Sequence, residues 1–204
     1  MNKPINYYQL MNDVAELLTE IGLNKPFKMT YAEAFKETLQ IDPHTADIKQ
    51  LQKLGGEYGW GSDSDDHHAL LDYLFSEEVI KKLNNNQPLF IYDYPECMAA
   101  LATLKQGTPC VAERFELFIN GMEIANGFNE LCDANEQRQR FETELQSRKE
   151  KGFSTPSIDP NFLAALESGL PKTAGVAVGI DRLLMVLSGK KDIKEVIKLT
   201  IENK

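Results

Sequence analysis

Hydrophobic residues recur every three or four positions over residues 7–21, and this spacing predicts an amphipathic helix that ends at Gly22. Residues 30–54 carry two shorter helical patterns. Thr30 has the position of an N-cap for the first of them, and the second begins at about Thr45. The first quarter of the chain is therefore predicted to be largely helical.

A stretch rich in glycine and aspartate, residues 55–66, interrupts this periodicity and predicts a surface loop. The run Asp65–His68 at its end contains four residue types that bind metals. Adjacent side chains point in different directions and cannot all face one ion, so the run indicates a loop or helix cap rather than a metal site. Residues 67–83 are predicted to form the next helix.

Apolar and β-branched runs predict strands at residues 89–95, 114–119 and 122–128. The dipeptide Asn120-Gly121 between the last two is the strongest short signal for a β-hairpin. A run of small residues at 175–180 predicts one more strand. Because strands and helices do not alternate regularly, the pattern predicts an α+β fold and not a doubly wound parallel sheet.

The second half of the chain has three predicted helix starts. Asp133 precedes a long, charged and mostly exposed helix. Asp159-Pro160 combines an N-cap with a proline at the first helical position, in a helix that ends at Gly169. A last helix begins at Asp181.

Composition restricts the function. The 204 residues carry a formal net charge of −9, which disfavours sequence-independent binding to a phosphate backbone. No run approaches the roughly 20 apolar residues that span a bilayer, so no membrane partner is expected. The three cysteines, Cys97, Cys110 and Cys132, are scattered and indicate a reducing compartment, for which we expect the cytoplasm.

The hairpin carries two glutamates. A two-residue turn predicts a register in which Glu116, Phe118, Glu123 and Ala125 share one face of the sheet. Two carboxylates on one face repel each other unless positive charge lies between them. Mg²⁺ would supply that charge and would also bind phosphate oxygens, neighbouring Lys or Arg side chains would serve instead, and a solvated sheet face is the alternative.

Further candidate residues lie directly after the glutamate pair and in the strand and helix near residues 175–182. Asn126 and Glu130 lie close behind the glutamate pair, and Glu130 suits an amine, although turn and cap chemistry also explains them. Gly175 and Gly179 permit close approach to the backbone. Arg182 has the position of a residue that holds a phosphate or stacks on a base, with an ion pair to a surface carboxylate as the alternative.

These three elements, in this order, resemble class II aminoacyl-tRNA synthetases. FELFINGMEIANGFNEL followed by DANEQRQRF is similar to the lysyl-tRNA synthetase branch, and LPKTAGVAVGIDRLLMVL is similar to motif 3 of the class. Ala125 in MEIANGF, with AERFELF and IDPHTADIKQL, resembles the lysyl-tRNA synthetase paralogues that attach β-lysine to elongation factor P. The ending VIKLTIENK lacks the Phe-Pro-x-x-Arg-Pro pattern of the tRNA enzymes. The resemblance implies an antiparallel sheet flanked by helices.

The resemblance also implies an activity. ATP and Mg²⁺ would activate a lysine-type amino acid as its adenylate, and the acyl group would pass to a lysine of elongation factor P; tRNA is not expected as a partner. By position, Glu116 and Glu123 match the carboxylates that bind metal and ATP, and Leu117 matches a backbone contact to the nucleotide. Gly175 and Arg182 match the motif 3 nucleotide site, where Arg182 is expected to offset charge on the departing pyrophosphate.

The amino-acid pocket is implied in the same way. Glu123, Asn126 and Glu130 match residues that contact the amino acid. Ala125 is expected to direct its methyl group into this pocket, because it is predicted to share the face of Glu123. Replacing Ala125 with glycine is therefore expected to shift the preference from β-lysine toward α-lysine.

Family members carry a long stretch before this region, including motifs 1 and 2. Residues 1–204 are therefore expected to form one partial, incomplete catalytic domain without the motif 2 arginine and much of the motif 1 dimer interface. Three hypotheses follow: a ligase or its ATP-binding part, a non-catalytic nucleotide or amino-acid binding module, and a fragment of a true lysyl-tRNA synthetase. Ala125, the C-terminal ending and the acidic charge argue against the third.

Overall fold

A six-stranded sheet forms the centre of the fold. The computed structural model describes residues 6–61, 65–83 and 86–197. The strands are β1 (Phe27–Thr30), β2 (Leu89–Pro95), β3 (Leu104–Lys105), β4 (Val111–Ile119), β5 (Met122–Asn129) and β6 (Ala174–Val178). Their order across the sheet is β1-β2-β4-β5-β6, and β3 pairs with β4.

The pairings within this sheet are antiparallel except that of β1 with β2, which is parallel. The predicted α+β fold with an antiparallel sheet flanked by helices is confirmed. The strands β1 and β3 and the parallel edge were not predicted. These two strands have four and two residues, which is too short to show a period of two in the sequence.

Helices pack on both sides of the sheet. They are α1 (Tyr7–Glu20), α2 (Tyr31–Leu39), α3 (Ile48–Glu57), α4 (His67–Leu74), α5 (Ile80–Leu83), α6 (Ala134–Glu150), α7 (Pro160–Glu167) and α8 (Ile180–Ser188). A π-helical turn, Phe75–Val79, joins α4 to α5, so the helix predicted over residues 67–83 is confirmed as one helical segment. None of the helices among the described residues is long and apolar enough to cross a membrane.

Side-chain caps fix most of the helix starts that the sequence predicted. Thr30 and Glu33 form a reciprocal capping box at the start of α2. Asp133 accepts backbone hydrogen bonds at the start of α6, and Asp159 does so for α7. These N-caps are confirmed because each satisfies backbone N–H groups that have no partner within the helix.

The helix α3 departs from the prediction at both ends. It begins at Ile48 and not at Thr45, because Asp47 caps it by accepting a hydrogen bond from the Gln50 backbone. It also continues through residues 55–57, where a loop was predicted. Gly55 faces the neighbouring helix there: a Cβ atom on it would lie only 2.9 Å from Leu70 Cδ2, so glycine serves packing and not a turn.

The acidic run before α4 caps that helix. Asp66 accepts a hydrogen bond from the Ala69 backbone and forms an ion pair with Lys151, as the cap interpretation predicts. Residues 62–64 of the predicted loop lie outside the described residues. No group of three or more His, Cys, Asp or Glu side chains within the described ranges is placed to hold a metal ion by itself.

Two apolar cores lie on opposite faces of the sheet. The lower face, which carries Phe90, Phe115 and Leu117, packs against α1 and α8. The upper face, which carries Ile91, Glu116 and Phe118, is covered over β1 and β2 by the segment from α2 to α5. The upper face of β5 and β6 is less covered, and the candidate site lies there.

Candidate functional site

The β-hairpin turn has the predicted conformation. Asn120 and Gly121 both adopt positive φ angles, 54° and 75°, as a two-residue hairpin turn with the right twist requires. Phe118 lies opposite Glu123, which is the predicted pairing. The turn therefore places Glu123 on the upper face, the same face as Glu116.

The register beyond Glu123 differs from the prediction by one residue. Leu117 lies opposite Ala125, and Glu116 lies opposite Asn126. Ile124 is the additional residue of a β-bulge, and its backbone oxygen accepts a hydrogen bond from Gly179. Asn126 therefore takes the place on the upper face that the sequence had assigned to Ala125.

The predicted position of Ala125 is wrong. Because the bulge turns it over, its methyl group packs in the lower core with Leu117 and Leu183 and is only 2% exposed. It does not line a pocket on the face of Glu116, so the argument that it sets the choice between α- and β-lysine no longer holds. On β6, Ala177 pairs with Asn126, so it lies on the upper face, where it is exposed.

Glu116 is almost completely buried, and its side chain is held from three sides. Its carboxylate accepts hydrogen bonds from the Tyr94 hydroxyl at 2.7 Å, from Arg114 at 2.5 Å and from the Asn126 amide at 3.4 Å. Burial raises the pKa of Glu116, and the charge of Arg114 opposes this shift. Arg114 is itself fixed by a hydrogen bond to the Met98 carbonyl and by the face of the Tyr94 ring.

Glu123 is more accessible, and its partner is Arg182. The Arg182 guanidinium donates a hydrogen bond to the Glu123 backbone oxygen at 2.9 Å and lies 3.7 Å from its carboxylate. The two side chains are 40% and 51% exposed, so a ligand can reach both. Arg114 beside Glu116 and Arg182 beside Glu123 thus offset the repulsion between the two glutamates. Neighbouring Arg side chains were one of the alternatives that the sequence left open.

Glu130 lies directly over Gly175. A Cβ atom on Gly175 would come within 2.5 Å of the Glu130 carboxylate oxygen, so the absent side chain makes the room that Glu130 occupies. Burial raises the pKa of Glu130. Gly175 pairs with Phe128, which places both on the same face as Arg114. The sequence predicted that another group approaches Gly175 closely, and this group is the Glu130 side chain.

Asn126 lies opposite Glu116 on the upper face. Its amide nitrogen donates to Glu116, but its side-chain oxygen is buried and no donor among the described residues reaches it. A buried oxygen of this kind costs free energy unless something donates to it. An ammonium group or a metal ion would satisfy it. The site therefore has an acceptor that is ready for a cationic ligand group.

A model of the family "tRNA synthetases class II (D, K and N)" matches residues 6–202. The chain belongs to the class II tRNA synthetase family. It is 42% identical to an elongation factor P–(R)-beta-lysine ligase of Avibacterium paragallinarum, over 96% of this chain and 62% of the relative. Ligases of the same name from Pectobacterium atrosepticum and Klebsiella pneumoniae are 40% and 41% identical, each over 96% of this chain and 61% of the relative.

These comparisons confirm the resemblance to the β-lysine branch of the class II synthetases. The chain spans 61–62% of the length of the curated relatives it matches. Within this class II chain, the structure brings Glu116, Glu123, Asn126 and Glu130 to one side of the sheet. Arg182 contacts Glu123 at its edge.

The side chain of Leu117 does not reach this face. It is fully buried in the lower core, and its strand is paired on both sides. Only its backbone is available for the contact to a nucleotide that the resemblance implies. The pairing of β4 with β5 is irregular between Leu117 and Phe118, so a nucleotide could contact the backbone at this point of the sheet.

Mg²⁺ fits the donor set on the upper face. Glu116 and Glu123 supply carboxylate oxygens on one face of the sheet. Mg²⁺ commonly binds one or two carboxylates together with water and phosphate oxygens of a substrate, and not a complete protein cage. Two carboxylates without a third acidic ligand are therefore adequate for Mg²⁺ bound with ATP.

Two functional residues of the site were not predicted. Arg114 precedes Glu116 by two residues, so strand alternation already places it on the same face and would have identified it. Tyr94 comes from β2, and its contact with Glu116 depends on a pairing between strands that are distant in sequence. No local pattern marks such a residue.

Proposed function

We propose that the chain is the part of an elongation factor P–(R)-beta-lysine ligase that binds Mg-ATP and the amino acid. In this reaction a lysine-type amino acid is activated as its adenylate and then transferred to a lysine of elongation factor P. The observation that carries the proposal is the shared face of Glu116, Glu123, Asn126 and Glu130. The names of relatives that are 40–42% identical support the substrate and the acceptor.

The amino acid is proposed to bind between Asn126 and Glu130. Glu130 has no ion pair of 4 Å or less in the described part of the chain, and it lies in the recess above Gly175, so it is available for the side-chain amine of a lysine. The Asn126 side-chain oxygen, which accepts no hydrogen bond within the described part of the chain, accepts one from an ammonium group of the amino acid. A carboxylate and an amide oxygen both attract ammonium groups. Such a site favours an amino acid with a second amine over one with an uncharged side chain.

The nucleotide is proposed to bind beside Glu123 and Arg182. Bound Mg²⁺ supplies charge neutralisation for the phosphates. Arg114 and Tyr94 hold the Glu116 carboxylate in one orientation for that ion. Arg182 leaves its exposed ion pair with Glu123 and offsets the charge that develops on pyrophosphate when the amino-acid carboxylate displaces it from the α-phosphorus.

The second step is proposed to take place outside the tRNA pathway. The ε-amine of a lysine on elongation factor P attacks the acyl carbon of the adenylate, an amide forms, and AMP leaves. The chain has a formal net charge of −9, which does not suit a tRNA backbone. Its three cysteines are free, which supports a reducing, cytoplasmic location.

A non-catalytic binding module is the second candidate. The chain spans 61–62% of the length of its relatives, and the motif 2 arginine implied by the family resemblance is expected in the part that it does not match. The described residues form one sheet with a core on each face, so we propose a single partial catalytic domain. Under the second candidate, this domain binds the nucleotide or the amino acid but does not catalyse the reaction.

The amino-acid pocket is tested by calorimetric binding of β-lysine, α-lysine and norleucine, which lacks the side-chain amine. We expect the two lysines to bind and norleucine not to bind. Glu130→Gln is expected to weaken lysine binding by about tenfold or more, because it removes a charge-assisted hydrogen bond. Glu142→Gln, on the exposed side of α6, is the matched control. Equal binding of norleucine and lysine would refute the proposed pocket.

The pH dependence of the same binding has a definite sign. Burial raises the pKa of Glu130 above its ordinary value of 4.5, and only the ionised carboxylate pairs with an amine. Lysine affinity is therefore expected to fall as the pH decreases through the raised pKa, beginning above pH 4.5. Glu130→Gln should remove this dependence.

A further inference from the structure

A cleft of about 680 Å³ adjoins the nucleotide side of the site. Glu123 and Arg182 form part of its wall, and the segment after α8 forms another part. Lys191 and Asp192 belong to that segment and also line the cleft. The cleft therefore brings a second cation, Lys191, into the same space as Arg182.

The side chains of Lys190 and Asp192, on either side of Lys191, already have partners. Lys190 forms an ion pair with Glu195 at 3.0 Å. The Asp192 carboxylate accepts a hydrogen bond from the Lys194 backbone and caps the short 3₁₀ turn Ile193–Glu195. In the ranges that the structure describes, Lys191 has no carboxylate within 4 Å. It is exposed and free to turn toward a ligand in the cleft.

We propose that Lys191 binds the phosphate tail of the nucleotide, as a second cation beside Arg182. This inference rests on the proposed function, because it assigns a further residue to the same nucleotide site. A triphosphate carries several negative charges, and a flexible ammonium group pairs with any of its oxygens without a fixed geometry. The ligand class is a polyphosphate, and the nucleoside part does not contact Lys191.

The experiment compares Lys191→Gln with Lys190→Gln in the 204-residue chain. The two lysines are adjacent and carry the same charge, but Lys190 is held by Glu195, so its variant controls for the loss of net positive charge. Binding of Mg-ATP, inorganic triphosphate and adenosine is measured by calorimetry at low and at high salt. Circular dichroism confirms that both variants are folded.

Lys191→Gln is expected to weaken Mg-ATP and triphosphate by the same factor, roughly threefold to fivefold at low salt and less at high salt. Adenosine binding should not change, and Lys190→Gln should bind all three ligands like the unmodified chain. Unchanged triphosphate affinity in Lys191→Gln, or no triphosphate binding at all, would overturn the assignment of Lys191.

A failure of the proposed function would look different. In that case triphosphate binding would still depend on Lys191, but Mg-ATP affinity would not respond to replacement of Glu123. That result would keep Lys191 as a polyphosphate ligand and reject the ATP site at the two glutamates. If instead Mg-ATP depends on Glu123 and not on Lys191, the ATP site stands and the role of Lys191 is rejected.

Discussion

Gly175 is the residue at which a missing side chain matters most for the site. Its absent Cβ leaves the space that the Glu130 carboxylate occupies, with only 2.5 Å between the two positions. Gly127 on the neighbouring strand is equally confined, but a Cβ there would lie 2.8 Å from the Gly175 carbonyl oxygen and 2.7 Å from the Phe115 ring. The first obstacle is the end of a flexible side chain, and the second is backbone and core.

The two glycines therefore respond differently to alanine. Gly175→Ala is expected to displace the Glu130 carboxylate, to weaken lysine binding by about tenfold and to leave the free energy of unfolding nearly unchanged. Gly127→Ala is expected to lower the free energy of unfolding by about 1–3 kcal/mol, because it overpacks a rigid contact. Urea unfolding and lysine titration measure both effects. Equal losses of stability would show that Glu130 is not free to move.

The sequence predicted the positions of some residues of this site correctly and that of Ala125 wrongly. Glu116 and Glu123 share a face as predicted, because the Asn120-Gly121 turn sets the pairing next to it. Ala125 was placed wrongly, because a single bulge residue reverses every side chain beyond it. Ile124, an ordinary apolar residue, gives no sign of a bulge in a single sequence.

Helix caps are the elements for which the sequence was most informative. Thr30 and Glu33 occupy both positions of a capping box, and each bonds the backbone of the other. The sequence predicted Thr30 as a cap but not its partner Glu33; the cap was predictable because it involves only neighbours in sequence. The end of α3 was not readable in this way, because Gly55 signals a turn locally while its packing against Leu70 allows a helix.

Removal of the α2 cap has a predictable cost. Thr30→Ala is expected to lower the free energy of unfolding by about 1 kcal/mol, because the Glu33 backbone N–H loses its acceptor. Thr143→Ala is the control, since Thr143 lies on the exposed part of α6 and only bonds back to the Gln139 carbonyl. Chemical unfolding of both variants gives the comparison. A cost for Thr143→Ala equal to that of Thr30→Ala would exclude a specific contribution of the cap.

At the scale of the whole molecule, the sheet and both cores are present, but the chain spans 61–62% of the length of its relatives. The long-range arrangement, with β1 parallel to β2 and Tyr94 brought to Glu116, depends on contacts between distant segments. Neither was predicted, since single-sequence patterns report only local neighbours.

The isolated chain is expected to bind ATP weakly and to form little adenylate. The resemblance assigns the α-phosphate arginine to a region that its relatives carry in addition, and loss of one such group lowers a rate by roughly 10²–10³. The measurement is lysine-dependent exchange of pyrophosphate into ATP. Exchange at the rate of an intact synthetase would contradict this expectation and would make the chain a complete catalyst.

Titration of the chain with Mg-ATP shows whether the upper face around Glu116 and Glu123 binds a nucleotide. We expect weak Mg-ATP binding that requires Mg²⁺. Glu123→Gln should weaken this binding by about tenfold, and Glu142→Gln should leave it unchanged. Circular dichroism should show the same fold for all three proteins. Mg-ATP binding that is identical in the chain and in Glu123→Gln, or that persists unchanged in excess chelator, would rule out a Mg-ATP site at the two glutamates.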